Sequence, residues 1–384
     1  MNEKRIANLQ EILKSKNIDG ALYGVSGNMF YLLDDPGFTF QRTPETAGIN
    51  PTPQDYFNNK TDAVLYVPTV GEPLLVATHD RMDSFQNTNI QKFPCFYDRM
   101  QRQLHPHLKG KKMAIGLSCQ THLEQIVREI DAGIETVPGE SFVESLRAIK
   151  DEKEIQILKD LAEFTDYAMG EIVNEIKEGM SQYEIGDVIA RIGRENGATE
   201  LPFDPNALFT KTGDPTAQER GQYKRTWPLV EGTAIAFDFG YVMNGYCSDY
   251  GRSFYFGKAP ERIKDAYQAL QAAQVKLIET IKPGDQIKSY LKILRDELDK
   301  FGFKDHLFEH SERIPMGHQI GINVHELPWI NRFAEDEFKP GMVMCIEPKV
   351  WLPGDCYLRV EDMVLITETG AESLTKFSRT QFEL

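Results

Sequence analysis

The segment TAIAFDFGYVMNGYCSDYGRSFYF places two aspartates, Asp238 and Asp249, on either side of Asn244-Gly245, a dipeptide that favours two-residue hairpin loops. Counting outward from that loop, Met243 faces Tyr246 and Asp238 faces Gly251. Asp249 is then a diagonal neighbour of Asp238 on one face, about 7–8 Å away between α-carbons, where two carboxylates can grip a small cluster of cations. A second hairpin is written into GMVMCIEPKVWLPGDCYLRVEDMVLIT, with its turn at Pro353, Gly354 and Asp355. The same count about Gly354 sets Glu347 against Glu361. Like charges facing each other within apolar strands destabilise them unless a cation lies between or one acid is protonated. Arg359 shares the Glu361 face and has two readings, binding an anionic group near the metals or serving as counter-ion to the glutamates. Two of the chain's eight histidines, His318 and His325, fall in MGHQIGINVHELP. Carboxylates with one imidazole suit Mn²⁺, Co²⁺, Fe²⁺ or Zn²⁺.

Each residue also has an ordinary structural role open to it. Asp249 could pair with Arg252, Glu361-Asp362 could be a solvated strand edge, His318 could cap a turn and His325 could be a core histidine. These roles would have to arise independently in two hairpins and a histidine segment, whereas one metal site accounts for all of them.

The surrounding pattern divides the chain in two, as 384 residues with 41% hydrophobic content favour. Ile6, Leu9, Ile12 and Leu13 recur at helical spacing, and the strand signals GALYGV, DAVLYVP, EPLLVAT, MAIGL and GIETVP follow. Residues 1–145 therefore read as an α/β domain. Its stretch 38–60, with Pro44, Pro51 and Pro53, reads as a long loop or lid. One long helical pattern runs from Glu144 to Gly179, a second helix starts after Ser181, and from Thr233 period-two alternation is interrupted by helices over 260–281 and 286–301. Residues 146–384 read as an α+β domain.

Composition removes several function classes. A formal charge of -15, from 43 basic and 58 acidic residues, lacks the clustered Lys and Arg that nucleic acid requires. No window approaches the ~18 apolar residues of a membrane span, and the charged N-terminal segment has no apolar signal core. Five scattered cysteines without a CxxC pair fit neither a disulfide framework nor a thiolate zinc site. A cytoplasmic protein is the expectation.

RIANLQEILKSKNIDGALYGVSGNMFYLL, LRAIKDEKEIQILKDLAEFTDYAM, DFGYVMNGYCSDYGRSF, GHQIGINVHELP, GMVMCIEP and LRVED, in this order, resemble the pita-bread metallopeptidase family of prolidase, aminopeptidase P, methionine aminopeptidase and creatinase. The resemblance implies a creatinase-like α/β N-terminal domain followed by an α+β pita-bread catalytic domain. It also implies two divalent ions, with Mn²⁺ foremost and Co²⁺, Fe²⁺ or Zn²⁺ as alternatives. Asp238 would hold one, Asp249 and Glu361 would bridge both, and His318 and Glu347 would complete the second. Such ions activate a water and polarise the amide carbonyl it attacks. Glu347 would shuttle the proton, and His325 would position substrate or stabilise developing charge. Xaa-Pro cleavage in dipeptides or short peptides by a homodimer is the implied activity, with Arg359 beside the substrate. The chain departs from the family in KTGDPTAQERGQYKRTWP, which lacks the histidine usual before the first aspartate, and in SDYGRS and GHQIG. These departures favour, as a second reading, a non-peptidase hydrolase of a small amide, amidine or ring compound, or a lyase. A third reading is a catalytically silent binding module.

Overall fold

A computed structural model describes residues 3–35, 37–40, 60–86, 90–96, 99–214, 225–308 and 316–384. Most of the predicted 38–60 loop and of the histidine-free stretch 211–228 lies outside these residues. The chain divides into two compact units, 1–147 and 148–384.

The first unit begins with helix α1 (Glu3–Ser15), whose Ile6, Leu9 and Leu13 are buried. Its mixed sheet contains β1 (Gly20–Gly24), β2 (Ala63–Pro68), β3 (Leu74–Thr78), β4 (Gln91–Cys95), β5 (Lys112–Ile115) and β6 (Glu135–Pro138), in the order β4-β3-β2-β1-β5-β6. β2 runs antiparallel to β1 and β3, and the remaining pairs are parallel. Leu22, Val64, Val76 and Met113 pack beneath α2 (Gln120–Ile130), which contributes Leu123, Ile126 and Val127. The unit closes with α3 (Glu140–Arg147).

The long helical pattern predicted from Glu144 to Gly179 is broken at Ala148–Asp151. Asp151 caps α4 (Glu152–Glu175) in a reciprocal box with Glu154. The preceding Lys150 turns inward and pairs with Glu326 at 3.1 Å, a direction that a continuous helix would not allow it. α5 (Gln182–Glu195) starts at Ser181 with a second capping box.

Strands follow: β7 (Asn206–Lys211), β8 (Thr233–Asp238), β9 (Val242–Met243), β10 (Tyr246–Cys247) and β11 (Ser253–Phe256). After helices α6 (Glu261–Thr280) and α7 (Tyr290–Lys300) come β12 (Gly317–Gln319), β13 (Glu326–Trp329), β14 (Val343–Ile346), β15 (Lys349–Leu352), β16 (Cys356–Arg359), β17 (Asp362–Ile366) and β18 (Ala371–Ser373). One sheet has the order β11-β8-β7, another β13-β12-β14-β17-β18, while β9-β10 and β15-β16 are short ribbons. Helix α6 buries Ala266, Leu270, Ala273 and Leu277 against Met344, Ile346, Val364 and Ile366.

Both hairpins keep one register throughout. Met243 faces Tyr246, Phe239 faces Tyr250 and Ala236 faces Ser253, as counting from Asn244-Gly245 predicts. Around Gly354, Lys349 faces Arg359 and Val343 faces Leu365, which sets Glu347 opposite Glu361. The hairpins meet where Glu361 N–H donates to the Gly251 carbonyl at 2.8 Å. That junction brings all four predicted acidic ligands to one place.

Candidate metal centre

Asp238 ends β8, Asp249 lies between β10 and β11, His318 is the middle residue of β12, and Glu347 and Glu361 occupy the interruptions between β14 and β15 and between β16 and β17. Strand interruptions suit these roles, because there the backbone leaves the ladder and a side chain can turn toward a shared centre. Two glycines make the approach fit. A Cβ on Gly317, whose φ is +154°, would lie 2.1 Å from the Cys345 carbonyl oxygen, and one on Gly251 would lie 3.1 Å from Arg359 Nε. Larger residues would push β12 off β14 and Arg359 out of the site.

Asp249, His318 and Glu361 are buried, Glu347 nearly so, and Asp238 is partly exposed. Ligand atoms of Asp249, His318, Cys345 and Glu361 lie within 4.8 Å of one another. His318 Nδ1 is 3.0 Å from the Gln319 carbonyl oxygen. A carbonyl oxygen only accepts, so Nδ1 is the donor in that bond and Nε2 is the ring nitrogen turned inward. Nε2 is 3.4 Å from Asp249 Oδ2 and 4.0 Å from Glu347 Oε1. Polar atoms without a hydrogen-bond partner are unfavourable in a buried site. His318 Nε2, Asp249 Oδ1 and Glu361 Oε1 make no hydrogen bond. A divalent cation satisfies all of these atoms, so the residues fit the metal that the sequence implied.

The electrostatics point the same way. Burial, and then the charges of Glu361 and Glu347, push the Asp249 carboxyl well above the usual range. Burial also raises Glu361, with Arg359 opposing and Glu347 adding to the rise. The Cys345 thiol is pushed up by burial and then by Asp249, so it stays protonated beside the carboxylates.

The Arg359 guanidinium donates to Asp238, to Glu361 and, at 2.9 Å, to Glu347 Oε2, the contacts that its counter-ion reading implies. His325 is placed beside the centre, with its ring centroid 4.4 Å from that of His318. Trp329 flanks both rings, at 5.3 Å from His318 and 5.0 Å from His325. Lys150 reinforces this wall by donating to the Gln319 and Glu326 side chains, while Gln319 Nε2 donates to the Leu327 carbonyl.

Two features were missed in the sequence. Lys349 is buried, and its ammonium donates to Glu347 Oε2. Burial is the largest single influence and opposes that charge, but Glu347, Tyr357 and Glu361 together lift the ammonium above its ordinary value. The register count that paired the glutamates also pairs Lys349 with Arg359, so the signal was present. Asp249 does not pair with Arg252 as its structural alternative required. Arg252 is wholly buried and bonds Asp362 at 2.6 Å, with Arg379 on the other Asp362 oxygen at 2.7 Å. Against the cost of burial, these cations hold Asp362 below the usual carboxylate range. Glu361-Asp362 is therefore a buried pair of opposite-facing acids, and the solvated-edge alternative fails.

Comparison with known proteins matches residues 156–368 to metallopeptidase family M24. An Xaa-Pro dipeptidase of Pyrococcus horikoshii is 27% identical over 385 residues, covering 99% of this chain and 98% of that protein. A putative dipeptidase of Bacillus subtilis, YkvY, is 31% identical over 73% of this chain and 74% of its own length. The crystal structure of the prolidase from Pyrococcus horikoshii superposes with a TM-score of 0.81 at 23% identity, covering 98% of this chain and 99% of that one.

Proposed function

The chain belongs to metallopeptidase family M24, with its pita-bread catalytic fold, and from that premise we propose that it is a metal-dependent hydrolase of Xaa-Pro bonds in dipeptides or short peptides. The observation that carries the reading is the convergence of His318 Nε2, Asp249 Oδ1 and Glu361 Oε1, none of which has a hydrogen-bond partner. Asp238, Asp249, His318, Glu347 and Glu361 would hold two divalent ions, with Mn²⁺ the first candidate. Those ions supply an activated water and a polarised carbonyl when bound.

The chain's own residues do the rest. Glu347 is free to exchange a proton through Oε1, because Oε2 is held by Lys349 and Arg359. His325 stands beside His318 as a donor toward charge developing on a carbonyl oxygen. Trp329 offers an aromatic wall next to both histidines, suited to the flat apolar ring of proline.

A second reading, hydrolysis of a small non-peptide amide, amidine or ring compound, draws on two observations. Residues 211–228 contain no histidine, and Arg359 is engaged by the ligands. The homodimer is carried by the family resemblance of the N-terminal unit. A reducing, cytoplasmic setting is consistent with five unpaired cysteines and with the lack, among the described residues, of a helix long and apolar enough to cross a membrane.

The test is a hydrolysis screen of metal-free protein reconstituted with Mn²⁺, Co²⁺, Fe²⁺ or Zn²⁺, against Xaa-Pro dipeptides, longer Xaa-Pro peptides and small cyclic amides or amidines. Metal-dependent Xaa-Pro cleavage is the expected result. Metal binding with silence on every peptide moves the assignment to the second reading.

A further inference from the structure

The strand that carries Trp329 does not pair evenly with its neighbour. β12 and β13 set His318 opposite Trp329 but Gln319 opposite Glu326, so one step along β12 is answered by three along β13, and Leu327 and Pro328 are surplus. A bulge of this kind re-aims the side chains on either side of it and interrupts the backbone ladder. Those side chains are His325 before it and Trp329 after it, whose rings lie 5.0 Å apart.

The bulge is closed by a side chain. Leu327 points its own side chain outward, 57% exposed, and its carbonyl turns toward β12, where Gln319 Nε2 donates to it at 2.8 Å. Gln319 is fully buried. The Lys150 ammonium, which only donates, bonds Gln319 Oε1 at 2.5 Å and thereby fixes which end of the amide faces Leu327. The same ammonium bonds Glu326 Oε2 at 3.1 Å, while Glu326 Oε1 accepts from the Asn323 N–H at 3.1 Å. Gly321 leaves room for that carboxylate, since a Cβ there would lie 2.8 Å from Glu326 Oε2. Lys150 is held in turn by its own N–H, which donates to the Gly341 carbonyl at 2.9 Å. Asn323, Glu326 and Leu327 are thus tied to one buried lysine, with His325 among them. None of the residues in this chain of bonds is a proposed metal ligand, and Gln319 is the third residue of GHQIG, a segment in which the sequence departs from the family pattern.

We propose that Gln319 is a positioning residue for substrate: by closing the Leu327–Pro328 bulge it fixes His325 and Trp329 relative to each other, and so sets how a substrate carbonyl and proline ring are received. The inference rests on the Xaa-Pro reading for the substrate and on the geometry alone for the two rings. Without the amide, the Leu327 carbonyl needs another donor, and shifting the bulge toward water supplies one.

The test combines a spectroscopic and a kinetic readout. Full-length protein labelled with fluorotryptophan gives fluorine resonances from Trp227, Trp329 and Trp351, and Trp329→Phe assigns the one of interest. In Gln319→Met, which keeps the length of the side chain and removes its hydrogen bonds, the Trp329 line should broaden or split while the other two stay as they are. Loaded with Mn²⁺, the variant should hold as much metal as wild type and lose at least tenfold in kcat/KM on an Xaa-Pro dipeptide, with KM raised. A smaller folded fraction lowers kcat and leaves KM in place, so the rise in KM separates positioning from damage to the fold. Gln319→Asn, whose amide is one methylene shorter, provides the same comparison if the methionine variant does not fold. A Trp329 line as sharp in the variant as in the wild type, or a loss confined to kcat, overturns the proposal. In a wild type silent on every Xaa-Pro peptide the substrate reading fails, and the Trp329 line alone then decides whether Gln319 holds the ring.

Discussion

Asp249→Asn should change stability in opposite directions depending on whether metal is bound. Asp249 Oδ1 has no hydrogen bond, and a ligand oxygen of Asp249 lies within 4.8 Å of one of Glu361. Two ionised carboxylates at that distance repel by about 3.5 kcal/mol at an effective dielectric constant of 20. Protonating one of them at pH 7 instead costs about 4 kcal/mol. Lys349 and Arg359 relieve part of this conflict, and a buried amide has its own polar groups to satisfy. The metal-free variant should therefore be more stable than the metal-free wild type by about 1–3 kcal/mol. In a catalytic unit of this size, that raises the melting temperature by roughly 3–10 °C. With Mn²⁺ at a thousand times its dissociation constant, the wild type gains about 4 kcal/mol that the variant, lacking the charge of a proposed ligand, does not. Melting curves of both proteins in EDTA and in Mn²⁺ should cross in rank. A variant less stable than wild type in EDTA, or one stabilised by Mn²⁺ as much as wild type, would refute the reasoning, since either requires that Asp249 is not a strained metal ligand.

Arg359→Ala should cost about 3–5 kcal/mol without metal, by leaving Asp238 and Glu361 without their cation while Lys349 still holds Glu347, and Mn²⁺ should restore most of the loss in thermal melts. Arg252→Met should cost a similar amount, but Mn²⁺ should not restore it, because Arg252 neutralises Asp362 rather than a ligand; recovery with metal would contradict that separation. Burial raises the folded-state values of Asp249 and Glu361, so the metal-free native state binds more protons than the unfolded chain above about pH 4, and this contribution to stability falls as pH rises. The difference in melting temperature between Mn²⁺-loaded and metal-free protein should widen from pH 5 to pH 8; a constant or narrowing gap counts against the buried acids. Trp329→Ala should lower kcat/KM on Xaa-Pro substrates by roughly tenfold, equivalent to about 1.4 kcal/mol, with metal content unchanged, and unaltered kinetics would remove Trp329 from the pocket.

The hairpins were legible because each has a turn signal from which an antiparallel register can be counted without knowing the rest of the fold. Asn244-Gly245 and Gly354 are sufficient to place Asp238, Asp249, Glu347 and Glu361 relative to their partners. The break before α4 was harder, although Asp151 and Glu154 form a capping box recognisable in sequence. Helical polarity continues through Ala148–Asp151, and what ends the preceding helix there is the inward turn of Lys150 toward Glu326 and Gln319, contacts more than 160 residues away. β4 went unseen because QKFPC is short, half exposed and interrupted by Pro94, and it becomes a strand by lying parallel to β3 at the sheet edge. Neither long-range cause leaves a periodic trace.

At the centre itself, the acidic candidates were easier to read than the cations among them. A carboxylate at an apolar strand position is conspicuous, because it needs a partner wherever the strand is buried. A lysine or arginine in the same strand is ambiguous, since its long stem can carry the charge to solvent. The ambiguity is removed only by what lies opposite. Arg359 and Lys349 face each other, Glu347 lies within reach of both, and Gly251 leaves the space through which Arg359 passes to Asp238. Each cation is thereby directed inward, and the net charge available to metal becomes a property of the paired strands rather than of any one motif.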